Sequence, residues 1–259
     1  MENRVKQKKF VSLVLYLHNT QNEVVPFFQK VLPVFQDNFT NFEIVCVNDA
    51  CTDGTIGVLK EYLEENHCSE MVNIIHMSFF HGLESAMNAG RDLAIGDFIY
   101  EFDTAYVDYP SELIMEVYDK LLEGNDIVSA GTRDHVRMTS GFFYFCYNKT
   151  SRGRGKIGPE TFRIVSRRAI NRIKSIGQYI PYRKAVYSNC GLNTAVMNYR
   201  SLEKRKEKKP ICGREIFPGI RFFYLFHKCD GNGFSSNMRH LFIVVCRNGN
   251  FCCKGPDFS

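Results

Sequence analysis

Carboxylates and amides recur at the ends of short apolar runs between Val11 and Asp108, and that spacing carries the chemistry of the chain. Val11–Leu17 ends at His18-Asn19, and Phe42–Val47 ends at Asn48-Asp49 with Thr52-Asp53-Gly54-Thr55 just behind. Asp97–Phe102 ends at Asp103, and Asp108 follows shortly after. In an open α/β sheet, ligands bind outside the carboxyl ends of the strands. Acidic and amide groups stacked at those ends are candidates for gripping a nucleotide and a metal ion.

Asp53-Gly54-Thr55 reads as a turn into a helix N-terminus, where free N–H groups and the helix dipole favour anions. A simple helix cap reads equally well. Asp49 stands at a strand end, where a carboxylate can accept the N–H of a base or a ribose hydroxyl. Residues two apart in a strand share a face, so Glu101 and Asp103 project together. A buried carboxylate pair is costly unless it holds a cation or one member is protonated. Mg²⁺ or Mn²⁺ would bridge such carboxylates to substrate phosphate; alternatively, Glu101 meets a basic neighbour. Glu160 is a candidate general base. Arg163, Arg167 and Arg168 suit a leaving diphosphate, or lie as surface charges on the helix that follows. No Gly-x-Gly-x-x-Gly or Gly-x-x-x-x-Gly-Lys follows any strand, which weakens dinucleotide and P-loop readings.

The elements that must position these groups alternate in the spacing of βαβ units. Strands are expected at Val11–Leu17, Phe42–Val47, Asn73–Met77 and Asp97–Phe102, apolar enough for a parallel sheet covered on both faces. Helices are expected at Asn22–Gln36, Thr55–Asn66 and Gly82–Ile95. The third carries a packing stripe of Leu83, Ala86, Met87, Gly90, Leu93 and Ala94. Pro110 opens a helix near Ser111–Glu123, and Asp126–Ala130 is a fifth strand. Further on, Gly141–Tyr147 is aromatic and Ser151–Lys156 reads as a mobile basic loop. Thr161–Val165 reads as a strand, with Ser166 capping a helix at Arg167–Ile176. The segment 210–259 has little periodicity and no structure is assigned to it.

Composition is that of a globular chain: 259 residues, 44% apolar and 24% charged, enough to bury a sizeable core. The net charge of +5 is mild, and its excess is local, with six basic against two acidic residues in 200–209. Such a run is a solvated face or linker, or a membrane-surface contact. No signal peptide is visible at the N-terminus. No window reaches the ~18 apolar residues of a membrane helix. Ten cysteines form no disulfide or zinc framework, and Cys252-Cys253 has no partner pair at ligand spacing.

Four ordered motifs resemble glycosyltransferase family 2: Val11–Asn19, Val47–Thr55, Gly82–Gly90, and Gly96-Asp97 with Phe102-Asp103 and Asp108-Tyr-Pro110. Glu160-Thr-Phe-Arg-Ile-Val-Ser-Arg-Arg168 is similar to the subgroup of dolichol- and undecaprenyl-phosphate sugar transferases. The resemblance runs from about Phe10 to Lys209. It implies a GT-A fold: α/β, with a Rossmann-like, mostly parallel sheet and helices on both faces. A nucleotide-binding half would span 10–108 and an acceptor half 109–209 within a domain of 1–209, leaving 210–259 as an atypical tail. The resemblance also implies inverting sugar transfer from a UDP- or GDP-linked donor to a polysaccharide, glycolipid or polyprenyl phosphate. Mg²⁺ or Mn²⁺ would assist. Leu17, Asn19, Asn48, Asp49, Asp53, Gly82, Arg163 and Arg167 would line the donor. Asp103, with Asp108 or Glu101, would hold the metal, and Glu160 and Asp103 would be the catalytic pair. No nucleic-acid partner is expected. The expected location is the cytoplasm, with 200–209 touching the inner face of a membrane.

The departures from the family pattern are specific. Tyr16 replaces its first-strand proline, and Asn19-Thr20 stands for its Asn-Glu. The Asp-x-Asp motif reads Asp103-Thr104-Ala105, so the second metal ligand is missing, and the arginines are an alternative source of positive charge. Glu160-Thr161 replaces the aspartate often found before Phe-Arg. Many relatives carry two hydrophobic spans after the position of Tyr199, and the unlike tail here reads as a truncation or shifted frame after Lys209. The competing readings are a non-catalytic nucleotide-sugar-binding or scaffold protein on the same fold, and a nucleotidyltransferase-like enzyme.

Overall fold

A computed structural model describes residues 5–132, 134, 138–150, 156–175, 182–202, 221–226, 241–247 and 250–254. The chain divides into two compact units, 1–136 with 158–204, and 137–157 with 205–259. The strands of the first unit are β1 (Val11–Leu17), β2 (Phe42–Asn48), β3 (Val72–His76), β4 (Phe98–Phe102), β5 (Ile127–Gly131), β6 (Phe162–Ser166) and β7 (Thr194–Asn198). They form one sheet in the order β3-β2-β1-β4-β6-β5-β7. The helices are α1 (Gln21–Asn38), α2 (Thr55–Glu65), α3 (Leu83–Leu93), α4 (Glu112–Leu122), α5 (Met138–Thr150, in the second unit), α6 (Arg167–Lys174) and α7 (Arg183–Asn189).

Strand alternation sorts the core into two layers. Leu13, Leu15 and Leu17 of β1 face α1 and α4, and Val14 faces α3 and α6. On the first face, Phe27 and Phe35 of α1 meet Phe102 and Tyr100 edge-on, at 5.1 and 5.2 Å between ring centres. On the second, Ala86, Met87, Ala169 and Ile170 cover Val45, Val47, Ile99 and Val165. Gly90 lets α3 approach the sheet, because a Cβ there would lie 2.6 Å from methyls of Val14 and Val47. Glu101 alternates with Tyr100 and Phe102 and therefore shares the α3 face with Ile99. The stripe expected on α3 is buried at Ala86, Met87 and Gly90, but Leu93, at the helix end, is exposed.

The parallel expectation holds for β3-β2-β1-β4. β6 instead runs antiparallel to both β4 and β5. One end of β6 therefore arrives at the ligand edge of the sheet and the other leaves at the opposite edge. Ser166 caps α6 as expected, accepting the Ala169 N–H at 3.1 Å. Pro110 precedes α4, its carbonyl accepting the Leu113 N–H.

In the second unit, the aromatic stretch Gly141–Tyr147 lies within α5. The expected basic loop falls outside the described residues except for Lys156. The tail, left without structure by its sequence, contains β8 (Arg221–Phe226), β9 (Leu241–Arg247) and β10 (Asn250–Lys254). They form an antiparallel sheet in the order β10-β9-β8, with Cys252 and Cys253 opposite Val245 and Val244. Cys46, Cys51, Cys68, Cys146 and Cys190 are free thiols.

Candidate active site

The carboxyl ends of β1 and β2 are locked together by their own polar groups. Asn19 adopts a left-handed backbone, φ 52°, and its Oδ1 accepts the N–H groups of Thr52 and Asp53 at 2.8 and 3.3 Å. Ala50, at φ 51°, is the second such residue at this edge. Strained backbone of this kind persists where surrounding structure over-determines it. The Leu17 carbonyl accepts the Asp49 N–H at 2.9 Å. Asn48 accepts the Cys51 N–H and bonds His76 Nδ1, both at 2.9 Å.

Asp49 is fully buried. Its carboxylate accepts the His81 N–H at 2.8 Å, and the Gly82 N–H and Tyr16 hydroxyl at 2.9 Å. It thus fixes the loop that leads into α3, and its contact with a donor would run through that loop. Burial, reinforced by Asp49, pushes the Tyr16 hydroxyl far above its usual range. Asp53 bridges the two helix starts. Its two oxygens accept the backbone N–H groups of Thr55 and Gln21, at the starts of α2 and α1.

A dense charge cluster lies at the end of β4. Arg163 pairs in register with Glu101 across β6 and β4. Its Nη1 donates to Glu101 Oε2 at 2.9 Å, its Nη2 to Asp103 Oδ2 at 2.8 Å, and its Nε to Glu160 Oε2 at 3.0 Å. Arg183, at the start of α7, donates to Glu101 Oε2 and Asp103 Oδ1, each at 2.7 Å, and to Glu84 Oε2 at 2.8 Å. The Tyr187 hydroxyl donates to Glu101 Oε1 at 2.6 Å and accepts from Arg91 Nη1 at 3.3 Å. Burial opposes ionisation of Glu101 and Asp103, but the arginines outweigh it and hold both below the ordinary carboxylate range. Both guanidiniums are correspondingly pushed further into the charged form.

Arg163 thus joins Glu101, Asp103 and Glu160, and Glu101 meets the basic neighbour that was the alternative to a metal ion there. Asp108 does not join them. It accepts from Tyr199 at 2.7 Å and Ser201 at 3.1 Å, tying the segment after β7 to the sheet. Glu101 has no exposed side-chain surface and both its oxygens are engaged, whereas Asp103 keeps 14% exposure. Of the three metal candidates, Asp103 alone has an open face. Among the described residues, no group of three or more His, Cys, Asp or Glu side chains could hold a metal ion.

Arg167 is a correction to the donor-binding set. Its guanidinium donates to the carbonyls of Ala94 and Gly96, before β4 begins, at the edge opposite Asp103. Arg168 pairs there with Asp126. They follow β6 whereas Glu160 precedes it, so the length of the strand separates them, and its antiparallel course puts the Glu160 end beside Asp103. Sequence reasoning missed Arg183, Glu84, Arg91 and Tyr187. The signal available was electrostatic: two carboxylates buried at 101 and 103 require more positive charge than Arg163 alone supplies.

The sequence model of glycosyl transferase family 2 matches residues 12–191. The chain is 30% identical over 189 residues to an uncharacterized glycosyltransferase of Synechocystis sp., covering 70% of this chain and 58% of that protein. It is 29% identical over 224 residues to a prophage bactoprenol glucosyl transferase homolog of Escherichia coli K12, covering 83% of this chain and 69% of that protein. Its fold is similar to that of a mannosyltransferase from Pyrobaculum calidifontis in complex with GDP-Man and Mn²⁺. The TM-score is 0.57 at 15% identity, over 77% of this chain and 59% of that one. Glucosyl-3-phosphoglycerate synthase from Mycobacterium tuberculosis, with Mn²⁺, UDP-Glc and phosphoglyceric acid, gives 0.56 at 11% identity, over 76% and 73%. The fold is GT-A, and the chain spans less than two thirds of the Synechocystis relative.

Proposed function

The chain belongs to glycosyl transferase family 2, and on that premise we propose that it is an inverting glycosyltransferase using a nucleotide-diphosphate sugar. The observation that carries the reading is Asp103, ionised and partly open at the carboxyl edge of the sheet, joined through Arg163 to Glu160. The base and ribose would lie over the ends of β1 and β2, and the diphosphate beside Asp103. Asp103 is the residue that would hold Mg²⁺ or Mn²⁺, since such ions bind through one or two carboxylates plus substrate phosphate. When bound, the ion neutralises charge on the leaving diphosphate.

The acceptor oxygen attacks the anomeric carbon from the face opposite the diphosphate. As that bond forms, the sugar–phosphate bond breaks and the nucleoside diphosphate departs. Glu160 takes the proton of a hydroxyl acceptor, whereas a phosphate acceptor attacks through an oxygen already ionised and needs no base. Glu101, Arg163 and Arg183 orient these two carboxylates. The two structures cited bind GDP-Man and UDP-Glc, which supports a UDP- or GDP-linked donor here. The E. coli relative is named for bactoprenol, which supports a polyprenyl-phosphate or glycolipid acceptor at the cytoplasmic face of a membrane. In the basic run 200–209 proposed to touch that surface, residues 203–209 lie outside the described residues. Among the described residues, no helix is long and apolar enough to cross a membrane.

Calorimetric titration with UDP and GDP, each with and without Mn²⁺, tests the reading. Metal-dependent binding of one nucleotide is expected, and binding of neither overturns it. Asp103→Ala should abolish donor turnover while leaving the circular dichroism spectrum unchanged. The engagement of both Asp103 oxygens by arginines favours a second reading, a nucleotide-sugar-binding protein without turnover. Nucleotide binding without release of nucleoside diphosphate from UDP-glucose or GDP-mannose would select it.

A further inference from the structure

We infer that Arg183 is the resident counter-ion of Asp103 and keeps a free divalent cation off that carboxylate until a nucleotide diphosphate is present. The inference rests on the reading that Asp103 faces the donor. Asp103 Oδ1 accepts from Arg183 Nη2 at 2.7 Å, and Oδ2 from Arg163 Nη2 at 2.8 Å. Each oxygen thus already carries a cationic N–H. A divalent ion on Asp103 would sit close to two buried guanidiniums, and repulsion over that distance is strong in a poorly solvated site.

The charges of the cluster are already balanced. Glu84, Glu101, Asp103 and Glu160 are opposed by Arg91, Arg163 and Arg183, and Lys184 also acts on Asp103 through space. An added divalent ion alone leaves an excess of positive charge, and a diphosphate brings the compensating negative charge. Arg183 is the member suited to this role. Arg163 lies inside β6, paired in register with Glu101. Arg183 opens a short helix and has a separate anchor in Glu84, which accepts its Nε at 2.8 Å and its backbone N–H at 3.1 Å. Its removal leaves the sheet register intact and leaves a carboxylate pair short of one cation. Such a pair recruits a metal ion.

The test is a titration of the full chain with Mn²⁺ alone, followed by electron paramagnetic resonance of the free ion. The wild type should show no binding below millimolar Mn²⁺. Arg183→Gln should bind Mn²⁺ at least tenfold more tightly, and Asp103→Asn added to it should remove the gain. Arg183→Lys, which keeps the charge, should stay near the wild type. If Arg183→Gln fails to fold, Arg183→Met takes its place with the same expectation. Micromolar Mn²⁺ binding by the wild type that Asp103→Asn abolishes would overturn the inference. So would unchanged affinity in the folded Arg183 variant. If the wild type binds neither UDP nor GDP even with Mn²⁺, the donor reading fails, while a gain in Arg183→Gln still supports the counter-ion role.

Discussion

Arg163 and Glu160 touch, yet their substitution should have different consequences. Arg163 joins Glu101, Asp103 and Glu160 and is 1% exposed. Arg163→Gln leaves buried carboxylates short of a partner and should cost about 3–5 kcal/mol, read by urea denaturation. Glu160 sits at the rim, with 11% of its side chain exposed. Glu160→Gln keeps its shape and should leave stability nearly unchanged. If it is the base for a hydroxyl acceptor, kcat should fall by about 10²–10⁴-fold at unchanged donor KM. A kcat within a few-fold of wild type would remove Glu160 from the base role. Asp49→Ala should act through its loop: with the His81 and Gly82 N–H groups released, nucleotide affinity should fall more than the chemical rate. At this scale strand periodicity related Glu101 to Asp103, whereas the pairing of Glu160 with Asp103 came from the family resemblance. The sequence was silent on Arg183, because no local pattern ties a short helix 80 residues downstream to Asp103.

At the scale of elements, β6 is the strand whose direction its own residues do not set. Its apolar run fixes its existence, but a five-residue strand buried on both faces carries no mark of direction. Read as one more parallel strand, the segment puts Arg167 at the ligand edge and Glu160 at the far one. As an antiparallel strand it sends Arg167 to the carbonyls of Ala94 and Gly96, at the far edge. Two local devices were legible and can be tested by thermal melting. Ser166→Ala should cost about 1 kcal/mol through loss of the α6 cap. Gly90→Ala should destabilise by about 1–3 kcal/mol despite better helix propensity, because the added methyl overlaps Val14 and Val47. A stabilised Gly90→Ala protein would show that α3 is not pressed against β1 and β2.

For the whole molecule, the cluster sets the acid limb of stability. Glu101 and Asp103 both have folded-state pKa values below their unfolded ones, because Arg163 and Arg183 outweigh the effect of burial. In that situation the unfolded chain binds more protons than the folded one once pH falls toward about 4, the unfolded carboxylate range. Their contribution is therefore complete above about pH 5 and is lost progressively below it. At the other limb the sign reverses. Tyr16 and Tyr187 are held neutral, chiefly by burial, so stability declines as pH rises past the ordinary phenol value of about 10. Urea midpoints measured across this range should form a plateau between these limits. In Glu101→Gln the acid limb should flatten, since one of the two depressed groups no longer titrates. An acid limb of unchanged steepness in that variant would mean that the carboxylates governing acid unfolding lie elsewhere, for example at Asp126 beside Arg168.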